Sequence, residues 1–109
     1  MVQVNWTEAA IGDLKDIRDH IAKDPIRYAD ELSARLREHS RLLSLHPRLG
    51  KAVPEVKNDQ LRELVLGKYR IIYWIMTETR LEVVAVHHAK RELHTSMLRL
   101  RTSGLRRRS

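Results

Sequence analysis

Cysteine is absent from the 109 residues, which excludes both a disulfide framework and any thiolate chemistry. The chain must therefore be held by packing alone. A domain of this length buries somewhat over ~60% of the surface its unfolded chain exposes, so one core suffices without metal or cross-link. Long apolar runs are also missing: the longest, Ile71 to Met76, is far too short to span a bilayer. Met1-Val2-Gln3-Val4-Asn5-Trp6 lacks the basic start and apolar stretch of a leader peptide. The expectation from these absences is a soluble, cytoplasmic, single-domain protein that does not engage membranes. No internal repeat or second domain is visible. Aromatic residues are scarce, and Trp6, Tyr69, Tyr73 and Trp74 are too few and too regularly placed for a base-stacking platform. They read as core and interface.

What is abundant is positive charge, a net +7, and its distribution matters more than its sum. Residues 90 to 109 carry seven Lys/Arg against Glu92 alone, a net +6, whereas residues 1 to 89 carry fourteen against thirteen. Within that near-neutral body, residues 48 to 70 hold Arg48, Lys51, Lys57, Arg62, Lys68 and Arg70 against three acids. A folded basic surface is expected from this stretch.

The hydrophobic periodicity sets the element order. Val2, Val4 and Trp6 alternate with polar residues as in a short strand with one buried face. Thr7 can cap a helix in which Ala10, Leu14, Ile17 and Ile21 form one stripe, with Asp13, Lys15, Asp16, Arg18 and Asp19 on the wet side. Asp24-Pro25 restarts the chain as cap and first helical residue, and Ala29, Leu32, Leu36 and Leu43 make a second stripe, with Glu31 and Arg35 paired at i, i+4. His46-Pro47 ends it. Residues 47 to 59 read as a loop rich in turn formers. Three strands follow, Leu61 to Leu66, Tyr69 to Met76 and Leu81 to His87, and their short links, Gly67-Lys68 and residues 77 to 80, force antiparallel neighbours. The pattern predicts an α+β fold of order β-α-α-β-β-β, a helical hairpin packed on one face of a curved, mainly antiparallel sheet. Residues 1 to 92 form its body, and residues 93 to 109 form a basic extension with a short helix and a frayed end.

Several residues then carry a resemblance. Asp24-Pro25 with Ala29, then Leu45, Pro47, Gly50-Lys51 and Val53-Pro54-Glu55, then Arg62-Glu63-Leu64, Gly67, Tyr69-Arg70-Ile71-Ile72-Tyr73, and finally Val86, His88 and Lys90-Arg91-Glu92 resemble, in order and spacing, the successive signatures of the RelE/ParE toxins. The resemblance spans about residues 3 to 92. It implies the toxin of a type II toxin–antitoxin pair, neutralised by a cognate antitoxin in a hetero-oligomer and using no cofactor. Two activities are known in the family: messenger cleavage on the ribosome, and inhibition of DNA gyrase without cleavage. The proline-containing segment before the second strand and the His-x-x-Arg-acid ending are more similar to the ParE branch.

Two readings of the site follow. A metal-free ribonuclease must deprotonate a 2′-hydroxyl, stabilise the phosphorane and protonate the leaving oxygen. The candidates are Arg62, Arg70, His88 and Arg91, with Arg70 best suited because a guanidinium can hold two phosphate oxygens. Alternation puts Arg70 on the same strand face as Ile72 and Trp74, where it also has a structural use, pairing with an acid such as Glu63 or Glu82. His87 and His88 are neighbours on a strand, so only one can look into a given site. The strand that in ribonucleases supplies several bases offers only Arg62 here, and no tyrosine follows Tyr73, which argues against cleavage. In the binding reading, Lys90, Arg91, Arg99, Arg101, Arg106, Arg107 and Arg108 contact the target or partner. His20, His39, His46 and His94 suggest no metal site. An antitoxin would fill the cleft between hairpin and sheet, over Leu and Ile side chains of the two helices that the core does not need.

Overall fold

A computed structural model describes residues 1–20, 25–56, 58–90 and 94–106, with backbone only for residues 25–33 and 104–106 and for position 20. The elements are β1 (Gln3–Trp6), α1 (Glu8–His20), α2 (Pro25–Leu45), β2 (Lys51–Ala52), β3 (Leu61–Leu66), β4 (Tyr69–Thr77), β5 (Arg80–His88) and α3 (Thr95–Arg106). The expected β-α-α-β-β-β order is present, with one added strand. Lys51 and Ala52, inside the segment read as loop, pair with Glu63 and Arg62 as a fifth strand. The basic extension contributes a helix of 12 residues. Ile21, Asp24, Lys57 and residues 91–93 lie outside the described residues, as do the side chains of Ala29, Glu31 and Leu32.

The sheet order is β1-β5-β4-β3-β2. β1 joins β5 in parallel, and every other neighbour is antiparallel. Thr7 caps α1 as its sequence position requires, its Oγ1 accepting the Ala10 N–H at 3.1 Å. Gly67 supplies the positive φ, 58°, that a two-residue hairpin turn needs at its first position. α2 returns to the start of the chain, where Ser44 O accepts the Val2 N–H at 2.9 Å.

Both faces of the sheet are buried. Tyr69, Ile71, Tyr73, Ile75, Leu81, Val83 and Val86 pack under the hairpin with Ala10, Leu36 and Leu43. Ile72, Trp74, Met76, Leu61, Val84 and Ala85 pack on the opposite side under Leu98 of α3. This second cluster explains why β4 reads as a continuous apolar run and not as an alternation.

One irregularity decides how the site is assembled. Ile72 pairs with Ala85 but Tyr73 pairs with Val83, leaving Val84 as an extra residue, a β-bulge. Val84 and Ala85 consequently share the α3 side, and Val86 returns to the hairpin side. Downstream, His87 falls opposite Arg70 and His88 opposite Tyr69. Each histidine thus takes the face that an unbulged strand would give to the other.

Candidate functional site

The signature residues of β2 to β4 form two polar networks, one on each side of the sheet. Both begin with an arginine. On the α3 side, Arg70 is 8% exposed, so its charge needs partners. It has them: Nη1 and Nη2 donate to the two oxygens of Glu55 at 2.9 Å each, and Nε donates to Glu63 Oε2 at 2.5 Å. Nη2 also pairs with Glu63. Glu63 is 4% exposed and has Lys51 Nζ 3.5 Å from its other oxygen. The Glu55 hydrogen bonds, ahead of those from Glu63, hold the guanidinium above its ordinary pKa against the opposing effect of burial. A fork closed onto one carboxylate and braced by a second ties the 54–56 turn to the sheet. Its donors face carboxylates, not open space.

On the hairpin side, Tyr73 is fully buried. Its hydroxyl donates to Pro47 O at 2.8 Å and accepts the Gly50 N–H at 2.9 Å. Burial pushes its pKa up from 10.0. Gly50 has no room for a side chain, since a Cβ would fall 2.8 Å from that hydroxyl and closer still to Glu63 O. Arg62, 13% exposed at its side chain, donates to Gly50 O at 2.9 Å, Asp59 O at 3.0 Å and Asp59 Oδ1 at 2.7 Å. Arg48 reaches the other Asp59 oxygen at 2.9 Å. The hydrogen bond from Arg48 and the Arg62 charge lower the Asp59 pKa below 3.8. Pro47, Gly50, Arg62 and Tyr73 thus fix one end of the 47–59 segment, and Arg70 with Glu55 fixes its middle.

Of the four ribonuclease candidates, the three that are described, Arg62, Arg70 and His88, do not all share one face of the sheet. Arg70 lies on the α3 side. Arg62 pairs across the ladder with Tyr73 on the hairpin side. His88 packs edge-on against Tyr69 on that same side, with ring centroids 5.8 Å apart, and its Nδ1 accepts the Lys90 N–H at 3.2 Å. The residue beside Arg70 is His87. Arg91 lies outside the described residues. Of the acids expected for Arg70, Glu63 pairs with it, whereas Glu82 is held by Arg80 at 2.8 Å. Glu55 is a partner that strand alternation does not point to, and its place in Val53-Pro54-Glu55 is the one signal the sequence carries for it.

The basic tail residues also divide. Lys90 and Arg99 are exposed. Arg101 is not a free contact: from α3 it forms a bidentate pair with Asp13 of α1 at 2.6 and 3.0 Å and donates to Val84 O at 3.0 Å. Asp13 Oδ2 also accepts the Val86 N–H at 3.0 Å. β1 pairs only with Arg80 to Val83, so this clasp satisfies backbone groups of β5 beyond the end of β1. Asp13, read from periodicity as wet-side charge, is a bridge between the two helical layers. Arg107 and Arg108 lie outside the described residues, as does the Arg106 side chain. Ile11 and Leu45 are exposed at 54% and 51% on the hairpin helices. Among the described residues no cluster of His, Asp or Glu could hold a metal ion, and no helix is long and apolar enough to cross a membrane.

This chain matches the family described as the ParE toxin of the type II toxin–antitoxin system parDE, over residues 4–93. It is 31% identical over 91 residues to Toxin RelE2 of Caulobacter vibrioides, covering 84% of this chain and 99% of that one. It also shares its fold with a chain of the chromosomal ParDE system from P. aeruginosa, at a TM-score of 0.65 and 19% identity, over 83% of this chain and 98% of the other. Fold, networks and sequence thus converge: the chain belongs to the ParE toxin family of type II toxin–antitoxin systems, within the RelE/ParE superfamily, a membership that implies a cognate antitoxin as its partner.

Proposed function

We propose that this toxin arrests growth by binding DNA gyrase and performs no chemistry of its own. The observation that carries the reading is the state of Arg70. A phosphate-binding arginine must present open donors, yet this one is buried and saturated by Glu55 and Glu63. A phosphate would have to displace two carboxylates from a low-dielectric site. The other described candidates offer no substitute, because Arg62 is spent on Asp59 and Gly50 and His88 occupies the other face. The family match favours the same reading, since the matching family is that of parDE toxins, although the relative from Caulobacter vibrioides bears the name RelE2.

On this reading the protein acts in the cytoplasm, and its antitoxin keeps gyrase and toxin apart. The test is a pair of assays on the purified toxin: DNA supercoiling by gyrase, and messenger cleavage on translating ribosomes. Supercoiling should fall with toxin dose while transcripts stay whole. Cut transcripts with supercoiling untouched would replace this reading by the ribosomal one.

A further inference from the structure

The two flanks of α3 are held unequally. Its inner side rests on the sheet through Leu98, 1% exposed, which packs with Ile72, Trp74 and Val84. Thr102 is buried as well, but its hydroxyl donates back to Leu98 O at 2.8 Å, inside the helix. On the flank toward residues 55–58 the helix is undercut. An open crevice of about 620 Å³ lies there, lined as much by Glu55, Asn58, Thr95 and Thr102 as by Leu61 and Trp74. A gap of that size and polarity admits water, and atoms that face it give up dispersion contacts. On the flank toward α1 the helix is clasped by Arg101, whose bidentate pair with Asp13 and bond to Val84 O pass round the edge of β5 beyond its last rung with β1. The helix has little stability of its own. Its 12 residues are at the lower margin for an isolated helix in water, Gly104 lies inside it, and its first turn holds no acid to complement the helix dipole.

We propose that α3 is a releasable strap over one face of the sheet and that Asp13 is its catch. The carboxylate is shared three ways: Oδ2 accepts the Val86 N–H and Arg101 Nη1, and Oδ1 accepts Arg101 Nη2. One oxygen would satisfy the β5 amide, so the second serves the strap. Both side chains of the pair are 20% exposed, which leaves each charge dependent on the other. With the catch closed, Leu98 stays seated on Ile72, Trp74 and Val84. With it open, the helix keeps its apolar anchor but is fastened on neither flank, and it lifts as a unit, uncovering Trp74. The strands and the hairpin remain folded, because the core cluster of Leu43, Tyr73 and Leu81 on the other face does not include α3. Asp13 belongs to α1, so a change in the hairpin layer reaches the opposite face of the sheet through this one carboxylate. It positions α3 by way of Arg101 and needs no contact of its own with a partner.

Amide hydrogen exchange on the full-length toxin tests the strap. Asp13→Asn keeps an oxygen for the Val86 N–H and removes the ion pair. Exchange of the α3 amides should rise about tenfold or more, a factor within the range lost with a partly buried ion pair, while the β4 amides exchange as in the wild type. Trp74 gives a second signal. In a Trp6→Phe background it is the one tryptophan left, and Asp13→Asn should increase its quenching by acrylamide well below the unfolding transition. An ion pair that served only global stability would let α3 and β4 amides accelerate by the same factor, and that result overturns the proposal. So does α3 exchange no faster than in the wild type. If Asp13→Asn does not fold, Arg101→Met, which leaves the Asp13 bond to the Val86 N–H in place, decides by the same comparison of α3 with β4.

Discussion

Replacing Arg70 by methionine separates a structural arginine from a phosphate-binding one. Methionine keeps much of the stem's volume and removes every donor. Glu63, 4% exposed, then keeps, among the described residues, the Lys51 ammonium at 3.5 Å, and Glu55 loses both of its 2.9 Å bonds from the guanidinium. Breaking a buried pair by deleting one partner costs about 3–5 kcal/mol, because the surviving charge remains desolvated. Glu55 is a quarter exposed at its side chain and can turn to water, so the cost should lie near the lower bound. Small proteins lose about 1–3 kcal/mol of stability per molar urea, which turns 3 kcal/mol into a midpoint shift of about 1–3 M. A second substitution, Glu63→Gln, made with Arg70→Met, should recover a large part of the loss, because it removes the stranded charge. Equilibrium urea unfolding followed by tryptophan fluorescence reads both variants. If Arg70→Met unfolds within about 0.5 kcal/mol of the wild type and has lost its toxicity, the arginine serves chemistry or contact and the argument against cleavage fails.

Three further outcomes follow from the other network. Tyr73→Phe strands the Gly50 N–H and the Pro47 carbonyl, which should cost about 1–3 kcal/mol and be measurable as a lower thermal midpoint. Gly50→Ala forces a methyl group against Glu63 O and the Tyr73 hydroxyl, and should destabilise by about 1–3 kcal/mol, with the loss reduced in a Tyr73→Phe background. Asp59 has its pKa depressed by Arg48 and Arg62, so its contribution is present above the ordinary value of 3.8 and is lost as pH falls through the lower folded value. Amide exchange of the Arg48 to Gln60 segment should accelerate in that acid range, and Asp59→Asn should abolish the pH dependence.

Local features of the chain determined much of this protein. The Thr7 cap, the Leu36 and Leu43 stripe, the Gly67 turn and the three apolar strands all act over a few residues, so periodicity and turn chemistry expose them. The signature from Asp24 to Glu92 was likewise legible, and with it the family. The β2 strand was hidden because two residues carry no periodicity, and their pairing depends on Glu63 and Arg62 further along the chain. The packing of α3 was hidden for a related reason: its inner residue Leu98 makes sense only beside Ile72, Trp74 and Val84.

The site depended still more on tertiary structure. Whether an arginine faces a phosphate or a carboxylate is decided by what arrives from elsewhere in the chain, and Glu55 reaches Arg70 across a turn 15 residues away. Asp13 meets Arg101 over 88 residues. A single extra residue at Val84 decides which histidine lies beside Arg70, because side chains alternate with period two and one insertion exchanges the two faces. The sequence by itself settled every element except β2, and the family they belong to, since those follow from short-range pattern. Only the folded chain could decide which charges are free to act, since that depends on long-range pairing and burial.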